Sequence, residues 1–404
     1  MPVTITVDNI YTSDPSPIIT GTCDVDNSVI NLDITPGWDS AGPDSYQTKS
    51  LGGEWLIDVD PILARAVESK IKTSGLADAN AYVNESLLFQ THDGNFLTVF
   101  RRASDHTADD GRILRAISTT QGVTFGSEAV VYDVPSGYDT RSQCGGIDPD
   151  TGNVFIFCSV KITGGARQSA GFLKSTDHGA TFGAYTNVSS ELPSTDYLPF
   201  GPMLKTSNGL MQGFYIADQA CVLFSSDGGN TWGNRVTVFS GQTGLVETTF
   251  VSVDEDRIVG IIRDQLNQDS YRYIKSSDGG STWGTPSAPF AWTALTIGAA
   301  APCFATKHRS QILIAWGGRT PDWEIHTNRV GIEDFWSNPE NGWAIGAPNR
   351  IDNVYTATAT INTDFGYCWI APFSEHPMNA LVTWYDDDGA SGKTSAYYIT
   401  LGDL

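Results

Sequence analysis

The chain has 404 residues, enough for two or three domains and a large core; Gly and aromatic residues are frequent and amphipathic helical patterns scarce, which points to an all-β protein with many turns. Its 46 Asp and Glu outnumber 24 Lys and Arg, a formal net charge of -22. That excludes general binding to nucleic acid or an anionic membrane, because little would neutralise phosphates; a local cluster of arginines for one anionic ligand stays open.

Residues 1–8 show neither a basic segment nor an apolar core, so no secretory signal is read, and no apolar run is long enough for membrane insertion. The expected place of action is outside the cell or on a virion surface. Cys23, Cys144, Cys158, Cys221, Cys303 and Cys368 are scattered without a CxxC and read as free, mostly buried thiols. The six His form no HExxH and no close pair, so neither a metal nor another cofactor is expected.

Residues 1–60 carry short alternating runs at 3–7, 28–34 and 54–59, separated by polar turns, which predicts a small β-sandwich. Ile18-Ile19-Thr20-Gly21-Thr22, followed by Gly53-Glu54-Trp55, resembles the immunoglobulin-like modules of bacterial and phage adhesion proteins. The resemblance implies attachment to a larger assembly, with homo-oligomerisation as the other association. Asp60 then suits a helix N-cap and Pro61 the first helical position. Ile62, Leu63, Ala66, Val67 and Ile71 make a stripe and Gly75 can end it, so a linking helix is predicted over 61–76.

From residue 77 onward the chain repeats. Residues 276–283 read Ser-Ser-Asp-Gly-Gly-Ser-Thr-Trp; related copies occupy 225–232 and 175–182, with a worn one at 118–125. A period near 50 is that of a propeller blade. Each copy follows an apolar run, so it belongs in the turn after a strand. There Asp and the hydroxyls can accept backbone N–H groups, Gly supplies positive φ, and the final Trp or Phe packs in the seam beside the next sheet. The motif resembles the Asp-box of sialidases and other propellers, a structural device that specifies no activity. Six equivalent strands fall at 95–100, 153–157, 210–215, 257–262, 311–316 and 380–384, so residues 77–404 are read as a six-bladed β-propeller of about 55 residues per blade, closed by a strand near 396–400.

The ends of these strands carry the candidate chemistry. Arg101 and Arg102 follow the first, Arg263 the fourth and Arg319 the fifth, and such guanidinium forks would bind the carboxylate of an acidic sugar. Glu247 stands among Leu, Val and Phe and needs a partner. A Tyr beside a buried Glu can act as a nucleophile; Tyr367 and its rival Tyr355 are the candidates. The loop after Arg102 offers a general acid, Asp105 or Asp109, close to His106 and Asp110.

Residues 77–404 resemble the sialidase superfamily, best over Glu247, Arg263, Tyr271-Arg272 and the Asp-box at 276–283. The resemblance implies Tyr367 as nucleophile, Glu247 as its partner, Asp105 as loop acid, and Arg263 and Arg319 as clamps on a substrate carboxylate in a retaining glycosidase. One departure stands out: the opening strand, residues 81–87, lacks the arginine the family carries there, so the clamp is either rebuilt from Arg101 or Arg102 with Arg263 and Arg319, or incomplete. The leading reading is hydrolysis of a terminal acidic sugar, such as sialic acid, on cell-surface glycans. The alternatives are a non-catalytic glycan-binding adhesin, such as a phage tail or receptor-binding protein, and a scaffold for a protein partner.

Overall fold

The structure, a computed structural model, describes residues 82–104, 108–120, 122, 125–135, 137–267, 270–291, 302–318, 324–344, 365–374 and 379–387, and separate strands at 6–7, 18–22, 29–34, 44–49, 54–58, 68–69, 349–351 and 392–400. It is an all-β propeller: from Tyr82 onward, antiparallel sheets follow one another along the chain.

The first sheet comprises Tyr82–Gln90, Phe96–Ala103, Arg112–Ser118 and Ala129–Tyr132, and the second Tyr138–Ile147, Val154–Ile162, Arg167–Ser175 and Thr186–Asn187. The fourth contains Leu245–Ser252, Ile258–Asp264, Ser270–Ser276 and Phe290–Ala291; the fifth, Phe304–His308, Gln311–Gly318, Glu324–Gly331 and Asn349–Ile351. The last joins Phe365–Pro372, Asn379–Asp387 and Gly392–Thr400 to Glu68–Ser69. These are five four-stranded blades, against the six expected. The third sheet departs from the pattern with five strands: Leu198–Pro199 and Leu204–Thr206 both pair with Gly209–Ile216, which continues to Gln219–Ser225 and Gly233–Phe239. Its inner edge is split at Gly201-Pro202, where φ is +76° at Gly201 and Pro202 has no N–H to give the ladder.

The apolar runs read from the sequence are the second strands. Phe96, Leu97, Val99 and Phe100 are fully buried, as are Val154, Phe155, Ile156 and Phe157, because each sheet is covered on both faces by its neighbours. Strands covered on both faces lose polar alternation and read as continuous hydrophobic stretches. Cys144, Cys158, Cys221, Cys303 and Cys368 are free and buried, and burial pushes the Cys221 thiol up to about 12; Cys23 lies outside the described residues.

The turns at 175–182, 225–232 and 276–283 share one hydrogen-bond pattern. In the first, Ser175 Oγ donates to Asp177 Oδ1 at 2.7 Å and accepts from Gly179 N at 2.8 Å, while Thr181 donates through N and Oγ1 to the two Asp177 oxygens at 2.9 and 2.6 Å. In the third sheet the closing tryptophan packs on the preceding sheet, not the following one as the sequence suggested. Trp232, from the third sheet, meets Phe157 of the second with ring centroids 4.9 Å apart. The reason lies at Gly229, with φ +77°, where a Cβ would come within 2.2 Å of the Phe155 ring: the turn is pressed onto the sheet before it.

Two other expectations change. The helix predicted over 61–76 is replaced at its described point by the strand Glu68–Ser69, whose register with the C-terminal strand is Ala396↔Ser69 and Tyr397↔Glu68. Pairing with an otherwise open strand edge outweighs a short amphipathic stripe. Ahead of it, a three-stranded sheet of Thr6–Val7, Ile18–Thr22 and Glu54–Asp58 and a hairpin of Val29–Ile34 and Asp44–Lys49 stand where the sandwich was expected. The first and last sheets pack together through Phe89 on Trp369 and Phe96 on Phe373, at 5.4 and 4.8 Å.

Candidate functional site

The site begins with a backbone irregularity repeated from sheet to sheet. The opening strands of the first, second, fourth and last sheets each lose register against their neighbour, between Asn84 and Leu87, Arg141 and Cys144, Val246 and Thr249, and Gly366 and Trp369. Each break holds a left-handed residue: Glu85 (φ 51°), Ser142 (55°), Glu247 (48°) and Tyr367 (51°). A positive φ is costly for any residue with a Cβ, so four in matching positions mark bulges that aim chosen side chains. All four line one cavity of about 130 Å³, joined by Gly201, Arg141, Arg167 and Tyr215.

Glu247 is its centre. The Tyr367 hydroxyl donates to Glu247 Oε1 at 2.6 Å, across 120 residues of sequence, and Arg263 Nη1 donates to Oε2 at 2.6 Å. The side chains of Arg263 and Glu247 are 14% and 9% exposed, so the ion pair is poorly screened by water. Burial works to lower the Arg263 pKa, but the charges of Glu247 and Tyr367 and the hydrogen bond to Glu247 together outweigh it and raise the value above the ordinary arginine range. The carboxylate is thus held beside a fixed positive charge while its other oxygen accepts the phenol hydrogen bond. Phe200 stands edge-on to Tyr367 at 6.3 Å and to Tyr215 at 5.5 Å, restricting both rings. Burial, then the charges of Glu247, Tyr367 and Glu85, push the Tyr215 hydroxyl well above 10, so it stays protonated as a donor at the cavity wall.

The structure does not bring every sequence candidate together. Arg101 and Arg263 are equivalent by register, since Asn84 pairs with Arg101 and Val246 with Arg263, each just ahead of a bulge residue. Yet Arg101 is 1% exposed and turns to the second sheet, where Nε donates to the Thr140 carbonyl at 2.8 Å and Nη2 to Asp139 Oδ1 at 2.9 Å. Asp139, itself fully buried, draws it there and also holds Arg141 Nε at 2.7 Å through Oδ2. Arg102 is paired with Glu128. Neither arginine lines the cavity, and Arg101 instead forms a buried tie between the first and second sheets. Asp109 accepts Lys161 Nζ at 2.6 Å and Gly164 N at 2.5 Å; the Lys161 hydrogen bond holds its pKa below the usual carboxylate value, the wrong direction for a general acid. Asp105, Arg319 and Tyr355 lie outside the described residues.

Sequence reasoning missed Glu85, Arg141 and Arg167. The available signal was phase: Glu85 holds in the opening strand of the first sheet the place Glu247 holds in the fourth. Among the described residues no group of three His, Cys, Asp or Glu is placed to hold a metal ion.

A family model described as a BNR repeat-like domain matches residues 94–317. The chain belongs to this family. No curated protein sequence matches it. Among solved structures, a protein of unknown function from Dyadobacter fermentans is 17% identical at a TM-score of 0.69, with 84% of this chain and 99% of that one covered. The NanB sialidase from Streptococcus pneumoniae is 12% identical at a TM-score of 0.63, covering 96% and 84%. A leech intramolecular trans-sialidase, complexed with 2,7-anhydro-Neu5Ac, is also 12% identical, at a TM-score of 0.61 with 94% and 82% covered. At these identities the likeness of this BNR repeat-like protein to the sialidases is one of fold.

Proposed function

We propose that this chain is a glycan-acting protein of sialidase type that holds a terminal acidic sugar in the 130 Å³ cavity and hydrolyses its glycosidic bond with retention. The observation that carries the reading is the chain of hydrogen bonds from Tyr367 through Glu247 to Arg263. Glu247 takes the phenolic proton as Tyr367 attacks the anomeric carbon and the leaving oxygen departs with a proton from an acid, for which Asp105 is the candidate. Water then attacks the tyrosyl glycoside, giving its proton to the now ionised acid, and the tyrosyl oxygen leaves with the proton returned from Glu247. A phenol and carboxylate sharing one proton present less negative charge to an acidic sugar than a carboxylate nucleophile would. The split third sheet serves in this reading as the sixth blade, and the turns at 175–182, 225–232 and 276–283 as Asp-boxes. The N-terminal strands would form the immunoglobulin-like attachment module of a protein acting on surface glycans.

The test is turnover of fluorogenic aryl glycosides of sialic and uronic acids, with the product anomer followed by proton NMR. Tyr367→Phe and Glu247→Gln should each lower kcat by at least about 100-fold; unchanged rates would sink the assigned roles. The engagement of Arg101 with Asp139 and Arg102 with Glu128 favours a second reading, a non-catalytic glycan-binding adhesin. Binding to a glycan array with no turnover in the same assay would select it.

A further inference from the structure

The cavity's charged groups say more about the sugar than its acidity. Glu85 lines the cavity on the opening strand of the first sheet, and its Oε2 accepts the Ser142 N–H at 2.9 Å while its carbonyl takes Gln143 Nε2 at 2.6 Å. Both anchors belong to the neighbouring bulge of the second sheet, so the carboxylate is held on the wall shared with Glu247 and Tyr367. The positive groups are distributed otherwise. Arg263 is committed to Glu247, and Arg141 to Asp139, with Asp109 3.6 Å away. Arg167 differs: it is half-buried and lines the cavity, and among the described residues no carboxylate pairs with it. Among the described residues its guanidinium makes one hydrogen bond, from Nη1 to the Asp196 carbonyl at 3.5 Å, the limit of a useful contact.

Arg167 opens the third strand of the second sheet, opposite Lys161, whereas the reacting pair comes from the fourth and last sheets. Tyr215 lines the same cavity and feels both: beyond burial, the charges of Glu247, Tyr367 and Glu85 raise its pKa, and that of Arg167 lowers it. A sugar with its anomeric carbon at Tyr367 therefore shares the cavity with the Glu247 and Glu85 carboxylates and with the Arg167 guanidinium of another sheet. An acid group turned toward these carboxylates is repelled, whereas one turned toward the second sheet meets Arg167.

We propose that Arg167 is a specificity-determining residue that binds an anionic substituent remote from the anomeric carbon, a ring carboxylate of a uronic acid or a sulfate ester. This rests on the glycan-site reading above and narrows it. The experiment is binding of the full chain to an array of glycans ending in hexuronates, sulfated hexoses, sialic acids and neutral hexoses, repeated with Arg167→Gln and Arg167→Lys. Hexuronate or sulfated termini should lead, separating the two sources of negative charge. Arg167→Gln should weaken the leading class at least about tenfold, leave neutral termini unchanged, and retain the parent melting temperature. Arg167→Lys should recover part of the loss. Leading sialic or neutral termini, or an unchanged ranking in Arg167→Gln, would overturn this inference and leave the sugar site standing; no binding to any terminus would overturn both.

Discussion

At the scale of single residues, the contrast between Arg101 and Arg263 shows why register alone does not assign a role. Both occupy the same position of a second strand, but one meets a bulge glutamate on its own sheet and the other a buried aspartate on the next. Asp139 is the deciding group: fully buried, it accepts Gly111 N at 2.7 Å as well as the two guanidinium contacts. Removing its charge leaves the buried Arg101 guanidinium without its carboxylate. Asp139→Asn should cost about 3–5 kcal/mol in urea unfolding. Breaking the ion pair of Arg112 with Asp133, 3.9 Å long with side chains 49% and 59% exposed, should cost under about 1 kcal/mol, because water screens both groups. Equal costs would mean that Asp139 does not tie the two sheets.

At the scale of elements, the parts legible in the sequence were those whose local chemistry repeats. Second strands showed as apolar runs because both faces are covered, and the Asp-bearing turns showed because the same hydrogen bonds demand the same residues three times. Glu247 was legible as an acid among apolar neighbours. The bulges were not: Asn84-Glu85-Ser86 and Arg141-Ser142-Gln143 are short, polar and without period, and their meaning depends on a partner strand slipping out of register. The linking helix failed for the same reason, since the edge it completes lies at the far end of the chain. The turns also make a prediction with a definite sign. The Thr181 hydroxyl hydrogen bond leads in lowering the Asp177 pKa to about 2, and the Thr231 backbone N–H does the same for Asp227. A carboxylate with a depressed folded pKa contributes stability that is complete above its ordinary value of 3.8 and is lost as pH falls through about 2. Asp177→Asn should therefore lower the melting temperature at pH 7, and the gap from the parent should close between pH 4 and pH 2. A gap independent of pH would show that the turn uses Asp177 for shape rather than charge.

At the scale of the whole molecule, a ring of sheets must be closed, and the closure sets how the bulges face one another. Tyr367 and Glu247 meet across 120 residues only if the last sheet is held beside the first and the ring keeps its diameter. The outer strand of the last sheet, Glu68–Ser69, comes from ahead of the first sheet and pairs with Gly392–Thr400. That pairing joins the two ends of the ring through backbone hydrogen bonds, and it can be trapped. In an antiparallel ladder adjacent residue pairs alternate between wide and narrow spacing, about 5.5 and 4.5 Å between Cα atoms. Both spacings fall within the reach of a disulfide, roughly 4.4–6.8 Å. The double variant Glu68→Cys with Tyr397→Cys and its neighbour Ser69→Cys with Ala396→Cys sample one pair of each kind. At least one should oxidise spontaneously at the ring seam, seen by mass spectrometry, and raise stability by about 2–5 kcal/mol, because it closes a loop spanning most of the chain. The same cross-link should leave binding at the cavity unchanged, since it fixes the ring in the arrangement that brings Tyr367 to Glu247. Failure of both pairs to oxidise, with the buried native thiols still unreactive, would mean that the ring is closed by another element.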